Sequence, residues 1–195
     1  MNQQSRLTAK DLINVGIYSV LYFFIMIVIG FLGFIPVFIP LLAVIPALLG
    51  GIPFMLFLTR VETFGMVTLL GFINGTLMFI AGMGYWACLT GLLFGLIADF
   101  ILARGHYKSS WLSLCAYTLF SCWVIGNFIP FFVGREAYFA MLVQGYSESY
   151  AQQLKALLPM WSLPVLFIAC LLCGAIGSVI GKRVCANQFK RAGIV

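Results

Sequence analysis

Long apolar stretches, separated by short polar turns, decide what this chain can fold into. A helix that crosses a bilayer needs about 20 mostly apolar residues. Six stretches read as such crossings: 12–34, 37–58, 66–81, 85–103, 111–133 and 157–181. Between them lie too few charges to dress a water-soluble surface. Only 8% of the residues are charged, against about 25% in a typical soluble domain. The expected fold is therefore an all-α membrane protein, one bundle of six transmembrane helices spanning 1–195 as a single domain.

Loop charge sets the expected orientation. Arg6, Lys10, Arg60, Arg104, Lys108, Lys182, Arg183, Lys190 and Arg191 fall in the tails and the even-numbered loops, and the other side carries only Arg135 and Lys155. Lys and Arg collect in cytoplasmic loops, so both termini are expected in the cytoplasm of a multi-pass protein of the cell membrane. The net charge of +6 belongs to this sorting. No basic stripe with interleaved aromatics suggests nucleic acid. Trp86, Trp111 and Trp161 stand near predicted span ends, where interfacial anchors belong. The polar start MNQQSRLTAK is not that of a cleaved signal peptide.

Two places depart from plain spans. Pro40, Pro46 and Pro53, with Gly50 and Gly51, interrupt the second. Proline lacks the N–H that a helix interior uses, so this span is expected to be kinked or partly re-entrant. Residues 134–156 form the one long outer loop. Tyr138, Met141 and Leu142, then Tyr150 and Leu154, recur there at helical spacing, broken near Gly145. Two short amphipathic helices lying over the outer face are expected.

Several kinds of chemistry lack their residues. His106 is the single histidine and sits in the turn ARGHYKSS, so a HExxH metal site, a Ser–His pair and a histidine relay are all missing. There is no GxxxxGK[ST] loop for nucleotide phosphates. The six cysteines lie mostly in apolar stretches, where a thiol behaves as a small hydrophobe. Cys170 and Cys173 form a CxxC in the body of a span, without a second pair. An enzyme, a resident metal and a cofactor are not expected. Asp99, in GLIADFILARG, is an acid inside a span and so a functional candidate, but Arg104 is about a turn away and a pairing or helix-end role fits it. Gly71 and Gly75, Gly91 and Gly95, and Gly174, Gly177 and Gly181 mark faces where helix backbones pack closely.

The expected binding site lies on the outer side, which is rich in aromatics and Met. Ligand cavities are mostly apolar, with a few placed polar groups. Phe38, Met83, Tyr85, Trp86, Phe131, Tyr138, Met141 and Tyr146 are the apolar and aromatic candidates. Asn127 and Arg135, with Glu136 and Gln144, are the polar ones. So few charges argue for a vitamin-like or planar hydrophobic solute. Heme is one candidate, with Met83, Met141, Tyr85, Tyr138 or Tyr146 to ligate or stack; the lack of an outer histidine counts against imidazole ligation.

The opening LTAKDLINVGIYSVLYF, the turn LLGGIPFMLFLTRVETFGMVT, the segment GLLFGLIADFILARGHYKS and the ending GKRVCANQFKRAGIV carry a likeness over nearly the whole chain. It resembles the Trep_Strep (MptD-type) group of substrate-binding S components of energy-coupling factor (ECF) transporters. The resemblance implies a six-helix subunit that captures a scarce small-molecule nutrient outside the cell. Its partners would be a transmembrane T subunit and two cytoplasmic ATPases, whose ATP hydrolysis topples it in the membrane. The resemblance also implies a small-xxx-small contact between the first helix and the T subunit. Gly16 and Val20 occupy those positions, with Ser19 between them; Val20 is larger than the pattern. Spans with charges only at their ends suit a subunit that must turn over, since a charge at the bilayer centre costs about 2.5–3.5 kcal/mol. The alternative expectation is a non-catalytic structural or assembly protein of the membrane.

Overall fold

The computed structural model describes residues 7–191. Arg6 and the closing residues 192–195 lie outside the described residues. Those described form helices and turns, with no strand among them. Five helical stretches are long and apolar enough to cross a membrane: Ala9–Phe34, Leu41–Leu58, Met66–Met83, Trp86–Arg104 and Ser162–Ala186.

Helix α1 (Ala9–Gly30) starts at a capping box. The Thr8 hydroxyl accepts from the Asp11 N–H, and the Asp11 carboxylate accepts from the Thr8 N–H at 2.9 Å. Each side chain satisfies a donor that the first turn leaves open. The second predicted span is broken, as its prolines require. A 3-10 turn at Pro36–Phe38 leads into α2 (Leu41–Leu49), and α3 (Gly51–Leu58) follows after Gly50. The freed backbone is covered by protein. Tyr117 donates its hydroxyl to the Ala47 carbonyl at 2.7 Å. A side chain on Gly51 would collide with the backbone of Gly177, so the break lies directly against the last helix.

Helices α4 (Met66–Met78) and α5 (Trp86–Arg104) form the tightest pair. A methyl group on Gly71 would strike the Gly91 carbonyl, and one on Gly75 the Ala87 carbonyl. Without these side chains the two backbones touch and gain dispersion contact along their length. Between them, Gly82 and Gly84 take φ of +90° and +84°, a conformation glycine adopts without steric cost. That turn carries Met83 back over the bundle.

The fifth predicted span, 111–133, is α-helical only as α6 (Ser110–Phe120) and then tightens into 3-10 turns at Ser121–Asn127 and Ile129–Phe131. Within this stretch the Thr90 hydroxyl donates to the Trp123 carbonyl at 2.7 Å, and at its end Pro130 has no N–H to continue an α-helix. Helices α7 (Arg135–Gly145) and α8 (Glu148–Leu157) lie across one end of the bundle, and α9 (Ser162–Arg191) closes it. The predicted last span began at 157, but Leu157 ends α8 and Pro159 stands in the turn before α9. The core is aromatic: Tyr22, Phe54, Tyr117, Phe120 and Trp123 are wholly buried, with Phe54 ring centroids 4.7 Å from Phe120 and 5.0 Å from Tyr117.

Candidate functional site

A cavity of about 190 Å³ opens beneath α7 and α8. Its walls come from every part of that end of the fold. Met26, Ile29 and Gly30 come from the end of α1, Leu42 and Pro46 from α2, and Met78 and Met83 from the α4–α5 turn. Val124, Asn127, Phe128 and Phe131 come from the 3-10 stretch, and Tyr138, Leu142, Tyr146, Tyr150 and Leu154 from the two covering helices. The broken elements make this possible. Regular α-helix in place of the 3-10 turns and of the π turn at Phe79–Met83 would carry Asn127 and Met83 elsewhere, because each residue advances by about 120° in a 3-10 turn and by less than about 100° in a π turn.

The cover is held by directed bonds. Arg135 donates to the carbonyls of Phe131 and Leu158, each at 2.8 Å, and of Lys155 at 3.1 Å. It thereby ties the start of α7 to the 3-10 stretch and to the C-terminal carbonyls of α8, where a cation is favoured. Its guanidinium also lies 4.9 Å from the centroid of the Phe139 ring. On the far side the Tyr150 hydroxyl donates to the Gly33 carbonyl at 2.6 Å, fastening α8 over the turn after α1. Tyr146 stacks on Tyr150 with centroids 4.7 Å apart and planes at 12°. Tyr138 meets Phe131 edge-on at 4.8 Å. Burial pushes the Tyr138 phenol up to about 12, with Tyr146 and Tyr150 adding to the shift. The ion pair of Lys155 with Glu136, at 3.5 Å, is solvent-exposed and holds little.

The cavity wall has few polar groups. Asn127 Oδ1 is buried and accepts no hydrogen bond. One turn deeper, the Tyr22 hydroxyl and Trp123 Nε1 are likewise buried without a partner. No Asp, Glu, Lys, Arg or His among the described residues lines the wall. Among the described residues, no cluster of His, Cys, Asp and Glu is arranged to hold a metal ion.

Of the twelve residues picked from sequence, Met83, Asn127, Phe131, Tyr138 and Tyr146 line this cavity. The other seven, Glu136 and Gln144 among them, lie off it. Phe38 stands beside the wall in its 3-10 turn. Tyr85 stacks on Trp86 at 5.0 Å, outside. Met141 is exposed, and Arg135 is committed to carbonyls. Met26, inside α1, and Met78, at the end of α4, were missed, because each belongs to an apolar stretch and nothing local marks it. Of the α1 residues, Gly16 has open space where a side chain would project and Val20 is 66% exposed, but Ser19 is 1% exposed and faces the bundle.

At the other end of the bundle Asp99 is wholly buried. Its Oδ2 accepts from the Thr68 N–H at 2.7 Å, the Thr68 hydroxyl at 2.6 Å and the Gly65 N–H at 3.1 Å. The carboxylate caps α4. Its partner is this helix end rather than Arg104, expected from sequence spacing. Tyr107, with left-handed φ of 60°, donates to Oδ1 at 3.4 Å.

Long apolar helices, buried polar groups turned inward and an apolar cavity at one end define a multi-pass helical integral membrane protein. Residues 9–191 match the family described as hypothetical bacterial integral membrane protein (Trep_Strep), and the chain belongs to that family. No curated protein and no solved structure matches it.

Proposed function

We propose that this protein is the substrate-binding S component of an ECF importer in the bacterial cell membrane. It captures a small-molecule micronutrient in the cavity under α7 and α8 at the outer face. A T subunit and two partner ATPases then topple it to release the cargo inside. The cavity carries this reading: it is lined by apolar groups with one unpartnered amide and covered by two helices. It also sits at the end of the bundle away from Arg60, Arg104, Lys108, Lys182 and Arg183. With those basic residues in the cytoplasm, the cavity faces outward.

Six crossings follow if α6 and its 3-10 continuation count as one, since 110–131 runs from the Asp99 end to the cavity. Both termini then lie inside. The T-subunit contact falls on the outer face of α1 at Gly16 and Val20, flanked by exposed Ile13, Ile17 and Phe24. Buried Ser19 is a packing residue within the bundle in this reading.

The test is co-expression of the tagged chain with an ECF T subunit and ATPase pair from the same cell. Stable copurification, and ATP-dependent uptake of a nutrient that the isolated chain also binds, are the expected results. A chain that purifies alone, ignores the module and binds no nutrient is instead a structural or assembly protein.

A further inference from the structure

We propose that the cavity takes an uncharged ligand of one or two planar rings that presents an N–H to Asn127. This rests on the binding-subunit reading and names its cargo by chemistry.

Charge is the first constraint. Among the described residues no ionisable acid or base other than tyrosine lines the wall, so an ionised ligand would be desolvated there without a counter-charge. Arg135 does not supply one, because it stands off the wall with three of its N–H donors held by carbonyls outside it. Size is the second. A cavity of about 150 Å³ takes one benzene, and this one measures about 190 Å³. A porphyrin, four pyrroles wide and carrying two carboxylates, exceeds it in both size and charge.

The third constraint is the polar group. A buried acceptor without a donor is costly, and Asn127 Oδ1 is in that position. A ligand N–H relieves it. The same amide carries N–H donors, so a ring with N–H beside C=O, a lactam edge, matches both ends of the side chain. The Tyr150 hydroxyl is already used on Gly33 and does not compete. Around Asn127 the wall offers the thioethers of Met26, Met78 and Met83 and the rings of Phe131 and Tyr138. Sulfur and ring edges both favour a flat aromatic guest.

The test uses the full chain in lipid nanodiscs and titration calorimetry. The uncharged probes are uracil, lumazine and nicotinamide; the charged ones are orotate, nicotinate and hemin. At least one uncharged ring is expected to bind saturably, and orotate, nicotinate and hemin each at least about tenfold more weakly than it. Asn127→Leu is expected to weaken that binding by about tenfold. It should leave the melting temperature unchanged or higher, since it removes an unpaired buried acceptor. The proposal is overturned if no uncharged ring binds, if orotate, nicotinate or hemin binds more tightly than every uncharged ring, or if Asn127→Leu has no effect. Tight binding of hemin or orotate that Met78→Trp abolishes would sink this ligand class and leave the binding-subunit reading standing. No binding of any probe, together with no copurifying T subunit, would sink both.

Discussion

Asp99 and Thr68 are joined by two hydrogen bonds to a single carboxylate oxygen, one from the Thr68 N–H at 2.7 Å and one from its hydroxyl at 2.6 Å. An acid from the end of α5 thus serves as the N-terminal cap of α4, where unpaired N–H groups and the helix dipole both favour negative charge. Removing it leaves the Gly65 and Thr68 donors unsatisfied in a buried place. Asp99→Leu is expected to destabilise the bundle by about 1–3 kcal/mol, read as a lower melting temperature in detergent. Asp99→Asn, which keeps an acceptor in place, should recover most of the loss. Equal melting temperatures for Asp99→Leu and wild type would show that the cap bears no weight. The left-handed Tyr107 packs on the same carboxylate; burial and that negative charge push its phenol well up.

Glycines of similar appearance in the sequence do different things. A side chain on Gly71 would meet the Gly91 carbonyl, whereas one on Gly16 would meet nothing within 4 Å. Gly71→Ala is therefore expected to cost about 3 kcal/mol or more through separation of α4 from α5. Gly16→Ala should leave stability unchanged or raise it by up to about 1 kcal/mol, from helix propensity. Thermal unfolding of the two purified variants separates them. In the transporter reading, Gly16→Leu also removes copurification of the T subunit while ligand binding persists. An assembled complex with Gly16→Leu would move that contact off this face.

The contrast shows what could be read in advance. Apolar length locates five helical stretches long enough to cross, because a bilayer imposes it residue by residue, but it does not foresee that 111–133 is α-helical only to Phe120. The small-xxx-small pairs at Gly71–Gly75 and Gly91–Gly95 also announce close packing, though not which helix meets which. What is lost is non-local. Asp99 has Arg104 nearby in sequence, yet its partner is Thr68, 31 residues away. The 3-10 stretch at 121–127 is held at Trp123 by Thr90, a residue of another helix. Residues of the cavity wall follow the same rule. Tyr138 and Tyr146 lie in an amphipathic segment that stands out, but Met26 and Met78 look like any other apolar residue until the 3-10 and π turns bring them together.

Arg135 should control the cover. Its three bonds reach the Phe131, Leu158 and Lys155 carbonyls, and charged donors of this kind contribute about 1.5–3 kcal/mol each when well formed. Arg135 is half-buried, so the discounted expectation for Arg135→Met is about 2 kcal/mol in all. Met keeps an apolar stem against Phe139. The loss should be local, because α4, α5 and α9 do not depend on these bonds. Hydrogen exchange is expected to quicken at the amides of residues 154–158 and stay unchanged in α4 and α5. Unaltered protection of α8 would mean that packing by Leu154 and Leu158 alone holds the cover down.

Alkaline pH should loosen the same cover through Tyr138. Burial first, and then its neighbours Tyr146 and Tyr150, raise this phenol to about 12; burial raises Tyr150 as well. An unfolded tyrosine titrates near about 10, so the folded state holds the proton more tightly. The stabilisation is complete below about pH 10 and is lost as pH rises from there through about 12. Tyr138→Phe removes the titration but keeps the ring against Phe131. The variant is expected to melt close to wild type at pH 8 and to gain on it steadily between pH 10 and 12. A constant difference across that range would show that Tyr138 ionises as freely in the folded protein as in the unfolded chain, and that α7 does not shield it.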